Sequence, residues 1–456
     1  MKKLDRVAIL VMLSTIALLA VVIWMGGRIP ITVRCQSPVN CAQVSPFGLV
    51  TLEFSRPVSS DLVEALWQTE PNLAGRWEWQ DDRHASWLSI SPMLPGQKIE
   101  MQLTPGKAGK NGESIQDVYH WEATVRSPQI VVSKSLENGG QELYSVGLDG
   151  ESSLKQLTYS NGDVFDFEIL PEGEAILYSA LNDSGGTDLW IVQRDGSGAH
   201  ILLECGSDRC TTPTASPAAP EIAYTRESAG LDPNGPKGAP RVWILDEITG
   251  QTTPLFADPQ KIGHGPVWSP DGKWLSIWNG LEGGIMVVQR QTGDTMMLES
   301  SNGDSGSWSH DSQSLYYTNM IQGMGSFRNV VLKADIAQGT VATVMGKDVE
   351  SGGLSIGVPV CDPTGKWVAV TIQPDPRIPG RELSLFDPEG LNGTPILEDL
   401  TKLPTYYSWT PTGDKLVFQI YPIGGKEDDV ETWVWDRETG DAQKIVAGAR
   451  FPKWLP

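Results

Sequence analysis

Histidine and cysteine are scarce, at five residues each in a chain of 456. Basic residues are also short, 35 Lys and Arg against 56 Asp and Glu, which leaves a formal charge of −21. A surface of that sign repels a phosphate backbone and argues against nucleic acid as a partner. The shortage of histidine bears on the cysteines. Cys35 and Cys41 stand close together, as do Cys205 and Cys210, and none of His84, His120, His200, His264 or His310 lies beside either pair. A metal site built on either pair lacks its remaining ligands, so two local disulfides are the expectation, conditional on an oxidising compartment. A metal site is the alternative, and Cys361 is left over.

Abundance points the other way. The chain holds 48 Gly, 32 Pro and 17 Trp, a mixture that suits many short strands joined by tight turns. Nineteen residues at 7–25, VAILVMLSTIALLAVVIWM, carry no charge and follow Lys2, Lys3 and Arg6. That length spans a bilayer, and the flanking charges place the N-terminus in the cytoplasm. With no A-x-A pattern behind the run, a retained anchor is favoured over a cleaved signal. The expected domains are a cytoplasmic tip and membrane anchor at 1–27, a linker with a Cys pair at 28–41, a β-sandwich at 42–127 and a repeat domain at 128–456. Everything after the anchor is expected to be extracytoplasmic.

Residues 50–54, 76–79, 87–90, 98–103 and 119–125 alternate apolar and polar side chains at least in part, as strands with one buried face do. The strings LEFSRPV at 52–58 and LPGQKIEM at 94–101 resemble a bacterial Ig-like domain, with Ile99 where that family has an aromatic. The resemblance implies a sandwich over 42–127.

Beyond 128 the chain repeats. PVWSPDGKWLSIW at 266–278 recurs as PVCDPTGKWVAV at 359–370 and YSWTPTGDKLVF at 407–418, with looser copies at 168–178, 214–224 and 306–317. The marks Ile169, Ala215, Trp268, Trp308, Cys361, Trp409 and Trp454 recur at the roughly 40–50-residue period of propeller blades. Each unit reads as a strand ending at the mark, a Pro-x-Gly turn, and two further strands closed by Thr-Gly or Asp-Gly. Trp454 has no blade behind it, while the strands after 128 have no mark before them. The two ends therefore complete one shared blade and latch the ring. The fold class expected is all-β: a seven-bladed β-propeller, with six or eight blades left open, preceded by the sandwich and one transmembrane helix. The units resemble the TolB-like propeller repeats, found also in the propellers of prolyl-oligopeptidase-type peptidases, and this implies the fold more than any function.

No catalytic set emerges. The strings closest to a nucleophile elbow, at 304–308 and 323–327, lie inside the repeats. The Ser-Pro-Asp-Gly turns offer one carboxylate each, which suits turn formation better than cation binding. No cofactor and no enzymatic activity are expected. Recognition is assigned to the loops that differ between units, at 229–240, 320–328, 373–381 and 421–430. The residues singled out are Phe327, Arg328, Arg377, Arg381, Lys426, Asp428 and Asp429. The expected role is a membrane-anchored bacterial scaffold or receptor for a protein or cell-envelope polymer, its oligomeric state left open. The alternatives are a propeller enzyme acting on a glycan or small ester in the central channel, and a sensor ectodomain. The sensor is weakened by the six residues before the apolar run.

Overall fold

A computed structural model of the chain describes residues 12–16, 30–37, 41–48, 50–137, 139–230, 236–322, 327–346 and 355–456. They fall into two units, Met1–Ser127 and Pro128–Pro456. The apolar run at 7–25 lies outside the described residues except for 12–16, which are helical. Among the described residues no helix is long and apolar enough to cross a membrane.

The first unit is two four-stranded sheets over one core. Val33–Ser37, Val50–Phe54, His84–Ser89 and Gly75–Trp79 form one; Gln43–Val44, Tyr119–Val125, Lys98–Leu103 and Trp67–Glu70 form the other. The period of two does the work. Val50, Leu52 and Phe54 point inward from one strand, Ile99, Met101 and Leu103 from another, and both sets join a single apolar cluster. The expected linker at 28–41 is corrected here. Ile31 and Val33 are buried while Thr32 and Arg34 are exposed, and Val33–Ser37 pairs with Val50–Phe54. This stretch is a core strand, hidden in the sequence because Pro30 and Pro38 leave it too short to read as a period. A Cys35–Cys41 disulfide ties its end back to the unit.

The second unit is a succession of antiparallel four-stranded meanders. His264–Trp268, Trp274–Asn279, Gly284–Gln289 and Thr295–Glu299 make one in simple sequential order. Alternate residues of each strand serve opposite neighbours. Leu275 and Ile277 pack with Ala223 and Ile244 of the preceding meander. Ile285 and Val287 pack with Leu315 and Tyr317 of the following one. The same relation continues through Tyr316 and Val331 with Val368 and Val370, then Ala369 and Leu383 with Leu416 and Phe418. Val417 and Val434 next meet Ile130 and Val132. From there Val131 and Leu143 meet Ile176 and Tyr178, and Leu177 and Leu189 meet Ile222 and Tyr224. The succession returns to its start, so the unit is a closed β-propeller. Two meanders merge into one eight-stranded sheet at the parallel pair Thr187↔Arg209. Beside that junction Cys205 and Cys210 form a disulfide, and the Thr187 hydroxyl donates to the Cys210 carbonyl at 2.6 Å.

The repeat mark is an inter-blade tie. The Trp268, Trp308, Trp409 and Trp454 indoles donate to the carbonyls of Thr214, Val267, Val360 and Ser408 at 3.2, 3.2, 3.3 and 3.0 Å. Each acceptor immediately precedes the mark of the neighbouring repeat. Cys361 fills the same slot with the same bond: its thiol lies 3.7 Å from the Ser307 carbonyl, and its N–H donates to the Ser307 hydroxyl at 3.0 Å. Burial pushes this thiol up to about 12, away from the thiolate form that a nucleophile uses.

The closing meander draws on both ends of the unit. Ala449–Leu455 pairs antiparallel with Gln129–Ser135, placing Trp454 opposite Ile130 and Leu455 opposite Gln129. Arg194 seals the corner, its Nη1 donating to the carbonyls of Pro456 at 2.6 Å and Gly173 at 2.8 Å. Removing 451–456 should therefore destabilise the whole ring. Trp454→Ala alone should cost about 3–5 kcal/mol in denaturant unfolding; a truncated chain that melts with the intact one would refute the closure.

Candidate binding site on the inner wall

The first strands of the meanders pack against one another and form the inner wall of the ring. Lys402–Trp409 meets Ala449–Leu455, which meets Val164–Ile169, which meets Arg209–Ala215, and that strand in turn meets His264–Trp268. The register of each breaks near its middle. The breaks fall between Thr405 and Ser408, at 451–452 opposite Val132, between Val164 and Asp166, between Thr211 and Thr214 and between His264 and Val267. These are β-bulges, which re-aim side chains.

Most of the bulges put a residue into the left-handed region. Gly265 takes φ 61°, which glycine accepts freely; Thr212, Tyr406 and Phe451 take 48°, 47° and 53° and do not. A bulky residue held there costs about 1–3 kcal/mol. What the strain secures is placement. Phe165 and Tyr406 are 51% and 58% exposed on the wall of a propeller whose other aromatics are mostly buried or half-buried. Tyr406 and Phe451 meet edge to face, 4.7 Å between centroids at 88°. With Phe165 they wall a cavity of about 480 Å³, bordered also by Asp166, Glu168, Tyr407 and Lys453.

The charges at this cavity are tied in. Lys453 Nζ donates to Glu168 Oε2 at 2.7 Å and to the Phe167 carbonyl at 2.8 Å. Asp166 accepts from the Ser179 hydroxyl and from the Thr212 N–H, the latter at 2.7 Å. Burial pushes the Asp166 carboxyl above the usual carboxylate range, against the opposing pull of those hydrogen bonds. The Tyr407 hydroxyl donates to the Val358 carbonyl, and burial raises that phenol as well. The arrangement is an apolar-walled seat with carboxylates at its edge, suited to holding a ligand. Among the described residues no group of His, Cys, Asp and Glu is placed to hold a metal ion.

The loop residues singled out from the sequence take other places. In an antiparallel meander the loops between second and third strands all emerge on one face. The four insertions are these loops, after Glu227, Gln322, Gln373 and Pro422, although 231–235 and 323–326 lie outside the described residues. Arg377 is 88% exposed but committed to Asp375, 2.5 Å away, and holds that carboxyl at about 2. Arg381 is half-buried, and burial lowers its basicity. Lys426 caps a short turn, its N–H donating to Asp429 at 2.7 Å; Asp428 sits 3.6 Å from Arg450. Phe327 is 67% exposed, whereas Arg328 is 6% exposed, and among the described residues its Nε and Nη1 have no hydrogen-bond partner. None of these lines the inner cavity. Phe165, Asp166, Tyr406, Phe451 and Lys453 escaped sequence reasoning, yet a signal was present. Three positions before the mark the repeats carry Thr212, Gly265, Ser305 and Val358, but Tyr406 and Phe451 in the last two copies.

No protein-family model matches the chain, and no curated protein matches it. Among solved structures it is similar to TolB from Acinetobacter baumannii, at 12% identity over 86% of this chain and 83% of that one, TM-score 0.43. It is also similar to a TolB of Agrobacterium tumefaciens, at 16% identity over 57% of this chain and 94% of that one, TM-score 0.40. An acylaminoacyl peptidase of Pyrococcus horikoshii is similar at 13% identity over 62% of this chain and 45% of that one, TM-score 0.45. The propeller rests on the closed succession of sheets and not on these likenesses.

Tyr406 and Trp409 separate site from scaffold. Tyr406→Gly suits the backbone and should leave unfolding free energy within about 1 kcal/mol of the parent. Trp409→Ala, which opens a cavity and strands the Val360 carbonyl, should cost about 3–5 kcal/mol; equal losses in paired denaturant melts would reverse the assignment.

Proposed function

We propose that this chain is a membrane-anchored, extracytoplasmic binding platform whose propeller holds a protein or envelope polymer at its inner wall and loop-bearing face. The observation that carries the reading is the aromatic set around one cavity, exposed Phe165 and Tyr406 with half-buried Phe451, held there in part by strained backbone. Exposed aromatics on a rigid scaffold bury large area on binding at little entropic cost. We count seven blades, taking the merged sheet as two and the closing meander as one, and read the first unit as an Ig-like spacer. The uncharged run at 7–25 behind Lys2, Lys3 and Arg6 serves as the anchor. Two cysteine pairs in the oxidised state agree with a compartment outside the cytoplasm.

The second reading, an enzyme acting on a glycan or ester in the channel, has one observation in its favour. Asp166 and Glu168 both border the cavity, and their environments differ, one carboxyl raised by burial and the other paired with Lys453. Such differences assign acid and base roles in enzymes.

The test is affinity capture from detergent-solubilised membranes with the full chain as bait. A specific partner should be retained by the parent and lost with the double variant Tyr406→Gly, Phe451→Gly. Turnover of a sugar or ester library by the purified chain, abolished by Asp166→Asn, with no retained partner, would replace the platform by the enzyme.

A further inference from the structure

The cavity on the inner wall carries negative charge that its surroundings do not balance. Asp166 and Glu168 border it, with Lys453 as the lining cation. Lys453 is spent on Glu168 and the Phe167 carbonyl. Arg209 lies 5.9 Å over the Phe165 ring but stands 3.6 Å from a carboxylate of its own, Glu227. Asp166 keeps only neutral donors in direct contact, the Ser179 hydroxyl and the Thr212 N–H. An ionised carboxylate held by neutral groups away from bulk water gains from an arriving cation. The formal charge of −21 adds an attractive field at longer range.

The aromatic geometry narrows the choice. A sugar ring stacks on a flat face open from one side. Tyr406 and Phe451 stand perpendicular, 88° apart at 4.7 Å, and make a corner with the exposed Phe165 ring beside it. Aromatic walls set at an angle to one another suit a compact organic cation, whose apolar shell they also cover. A volume of about 480 Å³ admits one such group with its alkyl stem.

We infer that this cavity binds an organic cation, an alkylammonium or a guanidinium, with its apolar shell in the corner of Phe165, Tyr406 and Phe451 and its charge beside Asp166. The inference rests on the platform reading and deepens it by naming the ligand chemistry. The cation comes either from a free small molecule or from a lysine or arginine side chain of a bound partner. Protons compete for the same carboxylate. Because burial raises the Asp166 carboxyl, affinity falls as pH drops through its raised range; the other charged groups at the wall are Glu168, Lys453 and Arg209, and the phenols of Tyr406 and Tyr407 border it too.

The experiment is calorimetric titration of the full chain in detergent with tetramethylammonium chloride and with the N-acetyl amides of lysine, arginine and norleucine. The cationic probes should bind and the uncharged norleucine amide should bind at least about tenfold more weakly. Asp166→Asn, which keeps the shape, and Tyr406→Gly, which suits the backbone, should each weaken the cations by about tenfold without lowering the melting temperature. Tetramethylammonium binding tighter than the amino-acid amides supports a free ammonium compound as the source; the reverse order supports a partner's side chain. Norleucine amide binding as well as lysine amide, or an Asp166→Asn chain with unchanged affinity, overturns the inference. No binding by any cation also overturns it, and if partner capture through the loop-bearing face persists, the platform reading stands while the cavity assignment falls.

Discussion

Everything in the propeller depends on one strand pairing, Ala449–Leu455 against Gln129–Ser135. A ring of meanders held by nearest-neighbour contacts has two open faces until its ends meet. Each open face would leave a sheet's worth of apolar side chains in water, and an unpaired edge is a template for aggregation. The pairing covers both at once. Trp454 joins the cluster toward the last meander and Leu455 the cluster toward the next. The inner wall exists only because the ring is closed, since the cavity takes Ser133, Phe451 and Lys453 from the closing meander itself.

Closure also explains the repeat. An indole donating to a carbonyl one repeat back fixes the spacing of neighbouring sheets on the inner side, where they converge. One such bond contributes on the order of 1 kcal/mol, and its loss strands a buried carbonyl. Cys361 shows that the slot asks for a donor more than for a large ring, since the thiol reaches the same class of acceptor. At Ala215 and Ile169 there is no side-chain donor at all. Both positions lie in the merged eight-stranded sheet: near Ala215 a backbone pair joins the two meanders instead, and near Ile169 the Lys453 ammonium donates across to the Phe167 carbonyl.

Much of this architecture was legible in the sequence because it repeats: the marks, the turns and the unfinished first unit together imply a ring with a shared blade. The strand at 33–37 was not legible, being too short between two prolines to show a period. The loop residues were identified by their irregularity, and topology does gather their loops on one face. Some of their carboxylates and cations are already engaged, however, Arg377 with Asp375 and Asp429 with the Lys426 backbone N–H. The inner cavity was hidden for a different reason. A bulge leaves no local signature beyond its unusual φ, so an aromatic at that position reads as one more strand residue. Only comparison across the repeats, Tyr406 and Phe451 against Thr212, Gly265 and Ser305, makes it stand out.

The wall and the closure are thus one construction, with strain at Tyr406 and Phe451 offset by a ring that cannot relax without opening. The most direct measurement is native-state amide hydrogen exchange of the full chain. If closure is cooperative, the amides of Gln129–Ser135 and Ala449–Leu455 exchange as slowly as those of Trp274–Asn279, through the same global opening. Fast exchange confined to 129–135 and 449–455, with 274–279 still protected, would mean that the ends fray independently and that the ring stands without its latch.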